Sequence, residues 1–145
     1  MEFRISTYDM YRLSLSKIFE EVEDDTDFKL HFPSFLDTAL MECLPYENQL
    51  RRLTNYLHRK EPGYIPLERL SDAPVYLGKE PSETDIVEYH PRLTRISIPY
   101  AVASLYFQDD GELNLSTVYR NRYLQSLADL GGALEEEICD YGDTD

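Results

Sequence analysis

Apolar residues recur every three or four positions along most of this chain, a period that a helix satisfies and a strand does not. The clearest run is Tyr11, Leu15, Ile18, Phe19 and Val22, which predicts a helix over about 8–22. Ser6 and Asp9, three residues apart, have the spacing of a reciprocal cap at its start. A second stripe, Phe35, Leu36, Ala39, Leu40 and Cys43, follows Ser34 and Asp37 and predicts a helix through Leu44. Pro45 suits a first helical position, and Tyr46, Leu50, Leu53 and Leu57 carry a further stripe to Lys60. Glu61-Pro62-Gly63 stops it. The last stripe runs from about Ser116 to Cys139 through Tyr119, Tyr123, Leu127, Leu130, Leu134 and Ile138. Gly131-Gly132 interrupts it at a cost of up to about 1 kcal/mol per glycine, so a kink or a split into two helices is expected there.

Alternation appears in shorter pieces. EFRIS at 2–6 offers Phe3 and Ile5, Phe28, Leu30 and Phe32 alternate up to Pro33, and RLTRISIPY at 92–100 places Leu93 with Ile96, Ile98 and Tyr100. Each reads as a strand. Ala101 to Phe107 fits either state by periodicity, but Asp109-Asp110-Gly111 is a turn signal that favours a hairpin returning through Glu112 to Leu115. In between, GYIPLERLSDAP suggests an extended pair, Tyr64-Ile65, and one or two helical turns from Pro66. A short helix is expected after Ser82, capped by Asp85, with Ile86, Val87 and Tyr89 inward and His90-Pro91 as its end. At 145 residues the chain is the size of one ordinary domain. The expected fold is α+β, a mainly helical single domain over 1–145 with a small antiparallel sheet or hairpin, and an acidic tail at 140–145.

Most chemistry is absent from the motif record. Neither phosphate-cradling glycine loop occurs, nor H-E-x-x-H, nor paired cysteines. Cys43 and Cys139 read as small buried hydrophobes in a reducing compartment. His31, His58 and His90 lie in different predicted elements and do not suggest a metal or catalytic site. Asp109, Asp110, Glu112 and Asn114 sit on a turn without the spacing of a calcium loop. No metal and no cofactor is expected, and an enzyme is the least favoured class. The chain has no run of the ~18–20 apolar residues that span a bilayer, and MEFRISTYDMYR does not read as a signal peptide. A soluble, cytoplasmic protein without membrane attachment is expected.

Bases gather at Arg51, Arg52, Arg59 and Lys60, beside His58. A nucleic-acid reader needs such a patch. Helix 47–60, PGYIPLERLSD, the short helix after Pro81 and the strand-like RLTRISI resemble the helix, strand, helix, helix and wing order of winged-helix modules. The Gly-aromatic-aliphatic-Pro-Leu stretch is similar to that of La-motif and LOTUS domains. Over about 47–98 the resemblance implies a winged-helix-like centre. The aromatic-rich helix by which La motifs hold RNA has no counterpart. As an alternative function, the resemblance allows a nucleic-acid or protein binding module in which those four bases meet phosphate.

Charge points elsewhere. The chain carries 28 acids against 14 lysines and arginines, a net charge of −14. Glu20, Glu21, Glu23, Asp24, Asp25 and Asp27 put six acids into eight residues, and Glu135, Glu136, Glu137, Asp140, Asp143 and Asp145 put six into the last eleven. Neither block contains a base. The first follows a predicted helix at its C-terminal end, where unpaired carbonyls already disfavour negative charge by about 0.3–1 kcal/mol per group. An external basic partner would compensate. Twelve tyrosines and no tryptophan suit an interface, and Tyr119, Tyr123 and Tyr141 lie on or next to the second block. In charge and size the chain resembles acidic DNA mimics of anti-restriction and anti-CRISPR type and immunity proteins that neutralise nucleases. That resemblance implies a non-enzymatic inhibitor whose partner is a basic protein, a nucleic-acid-binding enzyme or effector complex.

Overall fold

The Ser6 hydroxyl accepts the Asp9 backbone N–H at 3.0 Å, so the predicted cap opens the first helix where the spacing placed it. In the computed structural model, residues 3–18 and 25–142 are described, from 131 onward by their backbone alone. The elements are β1 (Ile5–Ser6), α1 (Thr7–Ile18), α2 (Thr26–His58), β2 (Ile86–Val87), α3 (Ile98–Asp109) and α4 (Leu113–Gly142), with a π-helical stretch, Leu93–Ser97, running into α3. The fold is a mainly helical α+β domain. Its sheet is one antiparallel pair, Ile5 opposite Val87 and Ser6 opposite Ile86. Among the described residues, no helix is long and apolar enough to cross a membrane.

α2 is one helix of 33 residues where the sequence predicted a strand and two helices. Phe28 and Phe32 are buried while Leu30 between them is 72% exposed, so the pattern over 28–32 has period four rather than two. From there Leu36, Ala39, Leu40, Cys43, Glu47, Leu50 and Leu53 extend one buried stripe. Pro33 and Pro45 lie inside α2 rather than ending or starting a helix. Each removes an N–H, leaving the carbonyls of Lys29 and Met41 without their helical donor. Burial along the whole stripe outweighs those two losses.

The strand expected at 92–100 is helical. Leu93, Thr94, Ser97 and Ile98 are buried, whereas Arg95 and Ile96 face outward. The hairpin expected over 101–115 is a pair of helices. Asp109-Asp110-Gly111 does turn the chain, but as a helix C-cap: Glu112 N–H donates to Phe107 O at 2.8 Å across Gly111, whose φ is +80°. That left-handed residue is the usual place for glycine after a helix. α4 begins at Leu113, earlier than predicted, and its backbone stays helical through Gly131-Gly132.

Residues 59–85 form no helix or strand. The turns predicted from Pro66 and the short helix after Ser82 are absent, and Ile86-Val87 pairs with β1 instead. Over 47–98 the order is helix, irregular arm, strand and helix. The core sits where α3 packs between α1, α2 and α4. Phe28, Phe32, Tyr106, Phe107 and Tyr119 form a chain of ring contacts through it, with centroids 5.1–5.9 Å apart.

Candidate partner interface

The predicted interface residues divide into three groups. Glu20, Glu21, Glu23 and Asp24 lie outside the described residues, and so do the side chains of Glu135, Glu136, Glu137, Asp140 and Tyr141. Asp25 and Asp27 are described and exposed. Asp25 occupies the N-cap position of α2 and Asp27 its first turn, which is the end of a helix that favours negative charge. Tyr11 donates to Asp25 Oδ2 at 2.7 Å, and His31 lies 3.5 Å from Asp27. These two acids therefore serve the helix that follows them, a role hidden while 28–32 read as a strand.

Tyr119 and Tyr123 are not interface anchors. They are 4% and 1% exposed, packed inside the core. The Tyr119 hydroxyl donates to the Lys17 carbonyl, joining α4 to the end of α1. Tyr123 lies 3.5 Å from the buried Cys43 sulfur, and burial pushes that thiol up to about 11.

The basic residues of α2 are divided. Arg51 pairs with Glu47 at 3.0 Å and donates to Glu88 O at 2.9 Å, so it is built into the fold. Arg59 stacks over the Tyr56 ring, 4.1 Å from its centroid. Arg52 and Lys60 are exposed. The four bases do not form one open patch, since the Arg51 side chain is only 12% exposed.

Around Arg51 lies a polar joint that sequence reading missed. Glu47 is fully buried, its Oε2 accepting the His90 backbone N–H at 2.7 Å. Burial pushes its carboxyl up to about 7 against the opposing pull of that N–H and of Arg51. His90 is buried as well, and desolvation together with Arg92 holds it down to about 4. The only hint in the sequence is that Glu47 falls on the buried stripe, four residues after Cys43.

The arm 59–85 is held along α2 by side chains that grip its backbone. Asn55 bonds both the N–H and the carbonyl of Leu67, at 2.7 and 2.8 Å. Asn48 does the same for Leu70, at 2.8 and 2.9 Å. Two helical turns between the asparagines, about 10.5 Å, match three extended residues of arm, about 10 Å. Farther on, Asp37 Oδ1 accepts the Tyr76 N–H at 2.6 Å, and Thr7 and Ser82 exchange two bonds at 2.9 and 3.1 Å.

Asp25 and Asp27 lie far from the last turns of α4. Ser104 bonds Ser116 and Ser97 bonds Ser126, so α4 runs antiparallel to α3 and continues past its start. The start of α2 is at the opposite end, with Phe28 against Tyr106 near the end of α3. From Ser116 to Glu136 the helix rises about 30 Å. Among the described residues, no group of three or more His, Cys, Asp or Glu is placed to hold a metal ion. Comparison with protein-family models, curated proteins and solved structures gave no match to this chain.

Proposed function

We propose that this protein is a non-enzymatic, acidic, cytoplasmic inhibitor that occupies the basic nucleic-acid-binding surface of a nuclease or defence effector. One observation carries the reading: Glu135, Glu136, Glu137 and Asp140 fall on the final turns of α4, a 30-residue helix with no base in its last turn. Negative charge at that end opposes the helix dipole, and a basic partner offsets it. Asp25 and Asp27 need no such partner, so the weight shifts from the first block to the second. Such charges act mainly by steering, raising association toward about 10⁸–10⁹ M⁻¹s⁻¹ at low salt.

The test uses the heparin-retained fraction of a cell lysate, which is rich in basic nucleic-acid-binding proteins. Passed over the immobilised protein, it should yield partners that elute with salt and are displaced by duplex DNA. The variant Glu135→Gln/Glu136→Gln/Glu137→Gln/Asp140→Asn should bind more slowly, with a flatter salt dependence. Partners indifferent both to DNA and to this neutralisation would overturn the reading.

A further inference from the structure

Steering charges need anchors, because affinity comes from a few desolvated side chains near the centre of an interface. Since Tyr119 and Tyr123 belong to the core, the anchors lie elsewhere. Val75 and Leu77 flank Tyr76 in the extended arm, so alternation turns both outward while Tyr76 turns in and donates to Ile86 O at 2.6 Å. On α2, Leu30, Asp37 and Met41 follow at i, i+7 and i+11 and share a face. Asp37 accepts the Tyr76 N–H on that face, so Val75 and Leu77 run alongside the helix face that carries Leu30 two turns before Asp37 and Met41 one turn after it. Leu30, Met41, Val75 and Leu77 are 72%, 65%, 66% and 67% exposed. A hollow of about 320 Å³ is lined by Leu30 and Pro33 of α2 and by Gly78, the residue after Leu77. Single apolar residues on a surface are ordinary, but these four lie along one helix face and the arm segment clamped to it.

We infer that Leu30, Met41, Val75 and Leu77 form the apolar centre of a docking surface for a basic protein. Charge identifies the occupant. Residues 61–88, which carry the arm, hold seven acids against Arg69 and Lys79, and Asp25 and Asp27 stand one turn before Leu30. Lys29 and Lys79 are the local exceptions, at the rim of the hollow. The arm is fixed before any partner arrives, because Asn48, Asn55 and Asp37 hold its backbone rather than its side chains. Preorganisation of this kind lowers the entropic cost of docking. The inference deepens the inhibitor reading and rests on it for the partner's basic character.

Val75→Ser/Leu77→Ser tests it, with Leu113→Ser, an equally exposed aliphatic on α4, as control. All three positions are solvent-facing, so melting should stay within about 0.5 kcal/mol of the parent protein. Against the same heparin-retained fraction, the double variant should lose about tenfold or more in affinity, as truncated anchors do, and the control should lose none. Parent-like binding by the double variant overturns the docking surface, and leaves the charge reading standing if DNA still displaces the partners. Loss of binding in a system that DNA does not displace upholds the patch and sinks the charge reading. A parent protein that sediments as a dimer, and a double variant that sediments as a monomer, assign the patch to a second copy of the chain and overturn the basic partner.

Discussion

Glu47 and His90 meet at one joint and titrate in opposite senses, and replacing one of them should expose the pH dependence that the other contributes. Glu47 is held neutral by burial, its carboxyl raised from 4.5 to about 7. Its contribution to stability is complete below pH 4.5, where folded and unfolded chains are both protonated, and is lost as pH rises to 7. That range is worth about 3 kcal/mol at 1.36 kcal/mol per pH unit. His90 is also held neutral, lowered from 6.5 to about 4. Its contribution is complete above pH 6.5 and is lost as pH falls to 4, again by about 3 kcal/mol. Between pH 4.5 and 6.5 the two slopes oppose and largely cancel. Glu47→Gln should therefore gain stability relative to the parent protein by about 3 kcal/mol between pH 4.5 and 7.5. His90→Asn should show the reverse trend. The assay is urea unfolding followed by circular dichroism at four pH values, read as the difference between variant and parent so that surface groups cancel. A difference that stays flat with pH, or that falls as pH rises for Glu47→Gln, refutes the reasoning.

Other perturbations test the rest of the structure. Asn55→Ala leaves the Leu67 N–H and carbonyl without partners and should cost about 1–3 kcal/mol, with faster proteolysis within 59–85 as the direct readout. Tyr123→Ala should destabilise the fold by about 3–5 kcal/mol in thermal unfolding, since a fully buried ring is lost. Asp27→Asn should lower stability by about 0.3–1 kcal/mol at low ionic strength, less in high salt, because the charge favours the start of α2. Gly111→Ala forces a side chain into left-handed backbone and should cost about 1–2 kcal/mol in urea unfolding. The Cys43 thiol should resist alkylation at neutral pH until the chain unfolds, since the thiolate is the reactive form.

Much of the helical fold was legible, and so was the cap at Ser6. The errors share a cause. The stretch Phe28, Leu30, Phe32 alternates by hydropathy, yet Phe28 and Phe32 alone are buried, and a five-residue window cannot separate period two from period four. RLTRISIPY misled in the same way, because Ile96 is apolar but half-exposed at 49%. Pro33 and Pro45 looked like boundaries because local rules assign proline to helix ends, whereas burial along both flanks carries α2 through them. The candidate interface was less legible. Tyr119 and Tyr123 fit an interface by composition, but whether a tyrosine lies in the core or on the rim depends on what packs over it.

The sequence by itself determined the helical period of α1, of α2 from Phe35 onward and of α4, and the placement of excess charge, because both follow from residue spacing along the chain. Tertiary structure decided what those features meet. It put Asp25 and Asp27 at the favourable end of α2, sealed Arg51 against Glu47, and laid a side-chain-clamped arm along Asn48 and Asn55 with its aliphatics outward. Those outcomes depend on partners up to 75 residues away, as Thr7 and Ser82 illustrate, and no local period records them.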